Sequence, residues 1–259
     1  MSAAQGLVGL TPWLVRRASQ AFEGGLHGLG ALVFPSRCVV CRTALARPLE
    51  GPLCPPCFDR LPRLSEPLCP RCGLAFSAGV APGLCGPCRS ARLSFRRARA
   101  LFPYVEEVRL CLHTLKYGGR RRLATKLGRA AARRWAGSEL ASAAAVVPVP
   151  LSRRRRRERG FNQAELIALA VARESGIPLR ARVLSRTKDR PPQAGLSATA
   201  RRRNVSGVYR ARLPEALRGE VVLLVDDVLT TGATADAAAR ALLGAGAGAV
   251  DVLTLARVS

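Results

Sequence analysis

The chain has 259 residues, 48% of them apolar, and carries 42 Lys and Arg against 17 Asp and Glu, a formal charge of +25. That composition excludes an intrinsically unfolded chain, and the length accommodates one substantial core plus a smaller module. No apolar run approaches the roughly 18 residues that span a bilayer, and the N-terminus lacks the pattern of a secretion signal, so a cytoplasmic protein with no membrane span is expected. The charge is uneven. Residues 1–95 hold 10 basic and 4 acidic side chains, a net of +6, and residues 96–259 hold 32 and 13, a net of +19. Such a field attracts polyanions, although the many Ala-Arg stretches also fit the compositional bias of a GC-rich genome.

Residues 1–35 form an N-terminal segment. An amphipathic helix is expected over 11–32, with Trp13, Leu14 and Phe22 near one face, breaking before Phe34-Pro35. Residues 36–92 are dominated by cysteine. The unit C-x2-C-x12-C-x2-C occurs twice, offset by 31 residues, as Cys38, Cys41, Cys54, Cys57 and as Cys69, Cys72, Cys85, Cys88. A C-x-x-C turn aims two thiolates at one centre, and two such turns complete a tetrahedral sulfur site for Zn²⁺. A disulfide framework fits a reducing compartment poorly. Four thiolates leave no open position for water, so the zinc is read as structural, with one or two ions. The spacing leaves open whether each unit closes on itself or the pairs interleave. The ninth cysteine, Cys111, falls in an apolar helical pattern and is expected in the core.

After a join at 93–97, residues 93–259 alternate between strand and helix. Strands are expected at 98–104, 144–149, 182–186, 206–211, 221–225 and 250–257, and helices at 106–117, 122–136, 162–175 and 233–245. Asn162 is a plausible N-cap. This alternation predicts an α/β fold, a parallel sheet with helices on both faces.

Two loops and one motif carry the chemistry. Residues 222–234 read Val-Leu-Leu-Val-Asp-Asp-Val-Leu-Thr-Thr-Gly-Ala-Thr. The apolar run reads as a buried parallel strand, whose end places Asp226 and Asp227 at the carboxyl edge, where open α/β sheets bind ligands. Thr230, Thr231, Gly232, Ala233 and Thr234 then offer hydroxyls and approachable N–H groups just before a helix N-terminus, a site suited to a phosphate. Pro150, Leu151 and Ser152 leave the second strand on the same edge and run into Arg153–Arg157, read as a basic loop. Arg159, Gly160, Asn162 and Gln163 follow. The residues 188–204 form a long polar loop of the kind that serves as a lid, bringing Lys188, Gln193 and an Arg over a diphosphate.

The segment 222–234 resembles the phosphoribosyl pyrophosphate (PRPP) motif of type I phosphoribosyltransferases. With the C-x-x-C pairs, Leu115-Lys116-Tyr117-Gly118-Gly119, Val147-Pro148-Val149-Pro150, Arg159-Gly160-Phe161-Asn162-Gln163 and Gln193-x-x-Leu196, the ordered set resembles the ComF family over roughly residues 31–259. The resemblance implies a zinc ribbon joined to a type I phosphoribosyltransferase-like domain, and a role in natural competence. It implies PRPP with Mg²⁺ as ligand, Asp226 and Asp227 on the ribose hydroxyls and the loop 230–234 on the 5′-phosphate. Arg159 and Lys188 would act on the reacting diphosphate. A nitrogenous acceptor, a base or nucleotide, would displace pyrophosphate. The alternative is a non-catalytic module that senses PRPP or binds single-stranded DNA or a competence helicase. Aromatic residues are only 5% of the chain, which weakens a dedicated base-stacking platform.

Overall fold

The computed structural model describes residues 37–45, 51–77, 79–135, 140–187 and 207–259. The predicted helix over 11–32 and the lid 188–204, with Lys188 and Gln193, lie outside the described residues.

The two cysteine units fold alike. In each, a tight turn bonds the first cysteine across the knuckle, Cys38 N to Thr43 O at 2.9 Å and Cys69 N to Leu74 O at 2.8 Å. The third cysteine of each unit then opens a short helix, α1 (Pro55–Arg60) after Cys54 and α2 (Gly86–Ser90) after Cys85. Proline in the first turn of both helices costs nothing, because the N–H it lacks has no intrahelical partner there. The first unit is not a separate bead. Cys38, Val39, Leu53, Cys57 and Leu61 bury into the same apolar cluster as Leu112, Leu127 and Trp135.

Four strands build the main sheet in the order β1-β6-β5-β2, all parallel: β1 (Arg97–Pro103), β2 (Ala143–Pro148), β5 (Val221–Leu229) and β6 (Ala249–Arg257). The two central strands are buried along most of their length because both their faces are covered, and the one acid in the first half of β6, Asp251, is paired with Arg96 at 2.5 Å. On one face lie α3 (Glu106–Tyr117), α4 (Arg122–Trp135) and α6 (Gln163–Ser175). Helix α4 meets α6 at Gly128, where an added Cβ would stand 2.9 Å from Ala170 Cβ, so only glycine permits that approach. On the other face lies α7 (Ala233–Gly244). Helices therefore cover both faces, as expected. Cys111 is fully buried, and burial pushes its thiol up to about 12, the behaviour of an inert core residue.

Three expectations change. The segments 182–186 and 206–211 do not join the parallel sheet. They form a separate antiparallel hairpin, β3 (Leu184–Arg186) with β4 (Tyr209–Ala211), packed beside α7. Arg153–Arg157 is not a loop but most of a helix, α5 (Arg153–Arg159). Ser152 caps it by accepting from Arg155 N at 3.2 Å, Gly160 closes it in the left-handed region, and Arg154 pairs with Glu158 at 3.1 Å. Strand β5 runs on past 225 through both carboxylates to Leu229. Among the described residues, no helix is long and apolar enough to cross a membrane.

Candidate functional site

The carboxyl ends of β2 and β5 and the N-terminus of α7 converge at one sheet edge. Gly232, at φ +78, is the N-cap of α7. That backbone conformation costs other residues about 1–2 kcal/mol and turns the chain from strand into helix within three residues. Of the amides of Thr231, Gly232, Ala233 and Thr234, that of Ala233 alone has a partner among the described residues, Thr231 Oγ1 at 3.4 Å. Thr230 and Thr234 are exposed. Free donors at a helix N-terminus are the local requirement for binding an anion.

Because β5 continues through the carboxylates, Asp226 and Asp227 leave it on opposite faces. Asp227 meets α3, and Lys116 Nζ lies 2.6 Å from its Oδ2. Asp226 accepts from the Asp227 amide at 2.8 Å through Oδ1. Burial, then the neighbouring Asp227 charge, pushes the Asp226 carboxyl up to about 7. The charges of Lys116 and Arg155 act against that rise. Tyr209, on β4, is buried and its hydroxyl has no partner among the described residues. Burial raises it to about 12, and the Arg186 charge opposes the rise.

The second loop is more occupied than its sequence suggests. Ser152 is buried and its hydroxyl oxygen accepts from Arg155 N in the α5 cap, which leaves its O–H free to donate. Pro150 and Leu151 are half-buried beside it. Asn162 caps α6 through Ala164 N at 3.1 Å and donates to Val149 O at 3.0 Å, holding this loop to β2. Arg159 donates to Tyr117 Oη at 3.0 Å and covers that ring at 4.8 Å, so α5 is tied to the end of α3. Buried Arg159 Nε and Gln163 Nε2 have no protein partner among the described residues. Buried donors left unpaired are costly and mark places where a ligand or water completes the bonding. The motif Leu115-Lys116-Tyr117 thus supplies two contacts to the site, Lys116 and Tyr117, that were not singled out among the candidate residues. Arg155, read with its neighbours as bulk charge, acts on both Asp226 and Tyr209. The i, i+3 relation to the Ser152 cap is the sequence signal that would have separated it from the rest.

The eight cysteines gather as two closed sets, Cys38, Cys41, Cys54, Cys57 and Cys69, Cys72, Cys85, Cys88, the sulfurs of each within 4.8 Å of one another. Each unit closes on itself, which settles the pairing the spacing left open. Tetrahedral Zn–S bonds of about 2.3 Å require sulfurs about 3.8 Å apart. Cys41 and Cys54 stand 3.8 Å apart and Cys72 and Cys85 3.5 Å, so both sets fit the ion. Zinc at either set would be held by four thiolates with no open position, a structural ion that would staple a segment with little core of its own.

Fold and site together define a phosphoribosyltransferase-type domain carrying a cysteine-rich zinc module. The double zinc ribbon domain family matches residues 29–89 and the phosphoribosyl transferase domain family matches residues 157–259. The DNA utilization protein YhgH of Escherichia coli (strain K12) is 34% identical over 232 residues, covering 87% of this chain and 99% of the relative. Competence protein F of Haemophilus influenzae is 30% identical over 229 residues, covering 86% and 98%. Competence protein ComFC of Bacillus subtilis is 29% identical over 245 residues, covering 90% and 97%. The chain belongs to the ComF family.

Proposed function

We propose that this protein is a cytoplasmic phosphoribosyltransferase that binds PRPP as its magnesium complex and transfers the phosphoribosyl group to a nitrogenous acceptor. The observation that carries this reading is the set of unpartnered loop amides before α7, set immediately beyond two carboxylates. The loop 230–234 holds the 5′-phosphate, and Asp226 and Asp227 accept from ribose hydroxyls. The diphosphate lies toward the β2 loop, Pro150 to Ser152, where Arg159 Nε and Gln163 Nε2 have donors to spare. The family resemblance assigns Lys188 and Gln193 to the same diphosphate. The acceptor nitrogen forms a bond to C1 with its lone pair as the C1–O bond breaks, and that electron pair leaves on pyrophosphate. The acceptor's proton passes to solvent. Preorganised donors stabilise the departing charge, so catalysis is positioning and electrostatics without a covalent enzyme intermediate.

Calorimetry with PRPP and Mg²⁺ tests the binding step. Wild type should give a heat that Asp227→Asn loses; equal heats in the two proteins would refute the assignment. A screen of free bases and nucleotides for PRPP-dependent pyrophosphate release then identifies the acceptor.

One observation favours a second role on the same chain, binding of single-stranded DNA as in a DNA-import system that includes a helicase. A groove of about 990 Å³ runs along α4 beside the first ribbon and is lined by Arg63, Arg122, Lys126, Arg129, Arg133 and Arg134. Phe58 also lines it, but Arg63 and Lys126 already cover that ring at 4.7 and 4.9 Å. The groove is therefore built for phosphates rather than for stacked bases. The names of the relatives, DNA utilization and competence, agree with such a role.

A further inference from the structure

Arg257, the last residue of β6, is buried and belongs to no expected motif. Its guanidinium faces two ways. Toward the second ribbon, Nε donates to Cys72 O at 3.3 Å, and Nη2 lies 3.7 Å from Cys72 Sγ. Toward the loop, Nη1 donates to Thr230 O at 2.8 Å and Leu229 O at 3.4 Å, and it also reaches Val258 O. One planar cation thus joins a zinc thiolate to the two carbonyls at which β5 becomes the phosphate loop.

Both ends have a physical consequence. Four thiolates around Zn²⁺ leave a net double negative charge, and donors to the sulfurs are the usual means of holding such a site in place. In a trans peptide the C=O and the following N–H point in opposite directions. Anchoring the Leu229 and Thr230 carbonyls on Arg257 therefore turns the Thr230 and Thr231 amides away from the ribbon, to the open side of the loop.

The junction is held at two further points. Ser94 N, in the join, donates to Asp236 Oδ1 in the first turn of α7 at 2.7 Å. The Phe95 ring lies beneath the loop, 3.6 Å from where a Gly232 Cβ would stand. The first ribbon has no comparable link: among the described residues it makes no hydrogen bond to 229–236 and packs on α4 instead, with Lys126 Nζ donating to Leu53 O at 2.9 Å.

We infer that Arg257 is a positioning residue through which the second zinc centre, and not the first, sets the conformation of the phosphate loop, so that zinc at that centre and PRPP at the loop strengthen each other's binding. This rests on the loop being the phosphate site proposed above. By reciprocity, whatever the metal does for PRPP affinity, PRPP must do for zinc affinity. The consequence for the cell is a transferase that loses its sugar-phosphate grip when the Cys72 centre loses zinc, while the first centre is indifferent.

The full-length protein is titrated in zinc-buffered solutions with and without PRPP and Mg²⁺, and PRPP binding is followed separately by calorimetry. In wild type, PRPP should lower the free-zinc midpoint of one of the two ions by about tenfold, within the usual range of such couplings, and leave the other unmoved. Asp227→Asn, which should not bind PRPP, must show no shift; a shift there would mean that PRPP acts only on zinc in solution, and would overturn the inference. Arg257→Met should keep both ions at saturating zinc, bind PRPP at least tenfold more weakly, and lose the shift. Arg257→Lys keeps the charge but not the two-way fork, and should show a reduced shift if Arg257→Met fails to fold. A full shift in either Arg257 variant, or PRPP heat in wild type with no zinc shift, overturns the inference and leaves the transferase reading standing. No PRPP heat in wild type removes both.

Discussion

Lys116 Nζ lies 2.6 Å from Asp227 Oδ2, joining the last turn of α3 to the carboxylate pair on β5, 111 positions further along the chain. Without that cation, the Asp227 charge, adjacent in the chain to half-buried Asp226, would lose its ion-pair partner. Both partners are largely covered, at 24% and 16% exposed, so truncation costs more than it does for a surface pair. Lys116→Met is expected to lower stability by about 1.5–3 kcal/mol, the range for a hydrogen bond to a charged group, and to weaken PRPP binding. Urea denaturation with an unchanged slope and a lowered midpoint checks the first expectation.

The raised Asp226 carboxyl makes both stability and binding depend on pH. Its folded value, about 7, lies above its ordinary value of 3.8. The folded state therefore holds the proton more tightly. The stability this contributes is fully present below about 4 and is lost as the pH rises through about 7. Accepting from ribose hydroxyls favours the ionised form, so binding runs the opposite way. PRPP affinity should fall as the pH drops below about 7, approaching tenfold per unit. Asp226→Asn should flatten the profile and raise the melting temperature at about pH 8, where the wild type carries a half-buried, desolvated charge. Calorimetry and thermal melts across pH check the two signs.

Removing zinc should unfold the ribbons. A strong chelator should release two ions per chain and expose residues 36–92 to protease, while the parallel sheet persists in circular dichroism. Because the first ribbon shares its apolar cluster with α4, metal loss should also loosen the contacts of Trp135, whose Nε1 donates to Ala100 O at 2.9 Å. Protease resistance of residues 36–92 after full metal removal would refute a structural zinc.

The basic groove should declare itself through salt. Arg122 and Arg134 line it without an ion pair among the described residues, whereas Arg129 and Arg133 are paired with Glu174 at 3.2 and 2.6 Å. If the groove holds single-stranded DNA, Arg122→Ala with Arg134→Ala should reduce the slope of log K against log salt by about 0.7 per lost phosphate contact. PRPP binding should not change. An unchanged slope for a folded variant would move the nucleic-acid site elsewhere.

Local patterns were readable from the chain alone. The doubled C-x2-C-x12-C-x2-C unit specified two metal knuckles, because each turn needs only neighbouring residues to aim its thiolates. The apolar run ending in Asp226, Asp227 and Thr-Thr-Gly-Ala-Thr specified a buried strand, a tight bend and a helix start, because Gly232 and the capping positions act within a few residues. The helix α5 was missed since five adjacent arginines read as a solvated loop, although Ser152 and Gly160 mark its two ends. What only the tertiary structure decided depends on residues far apart in the chain. The opposite facing of Asp226 and Asp227 follows from how far β5 continues beside β6, and the β3–β4 hairpin from packing against α7. Lys116 reaches Asp227 only because α3 covers that face of the sheet. Arg257 reaches Cys72, 185 positions away, only because β6 ends beneath the second ribbon. No spacing or periodicity records such meetings; they exist once the sheet is assembled and its edges are covered.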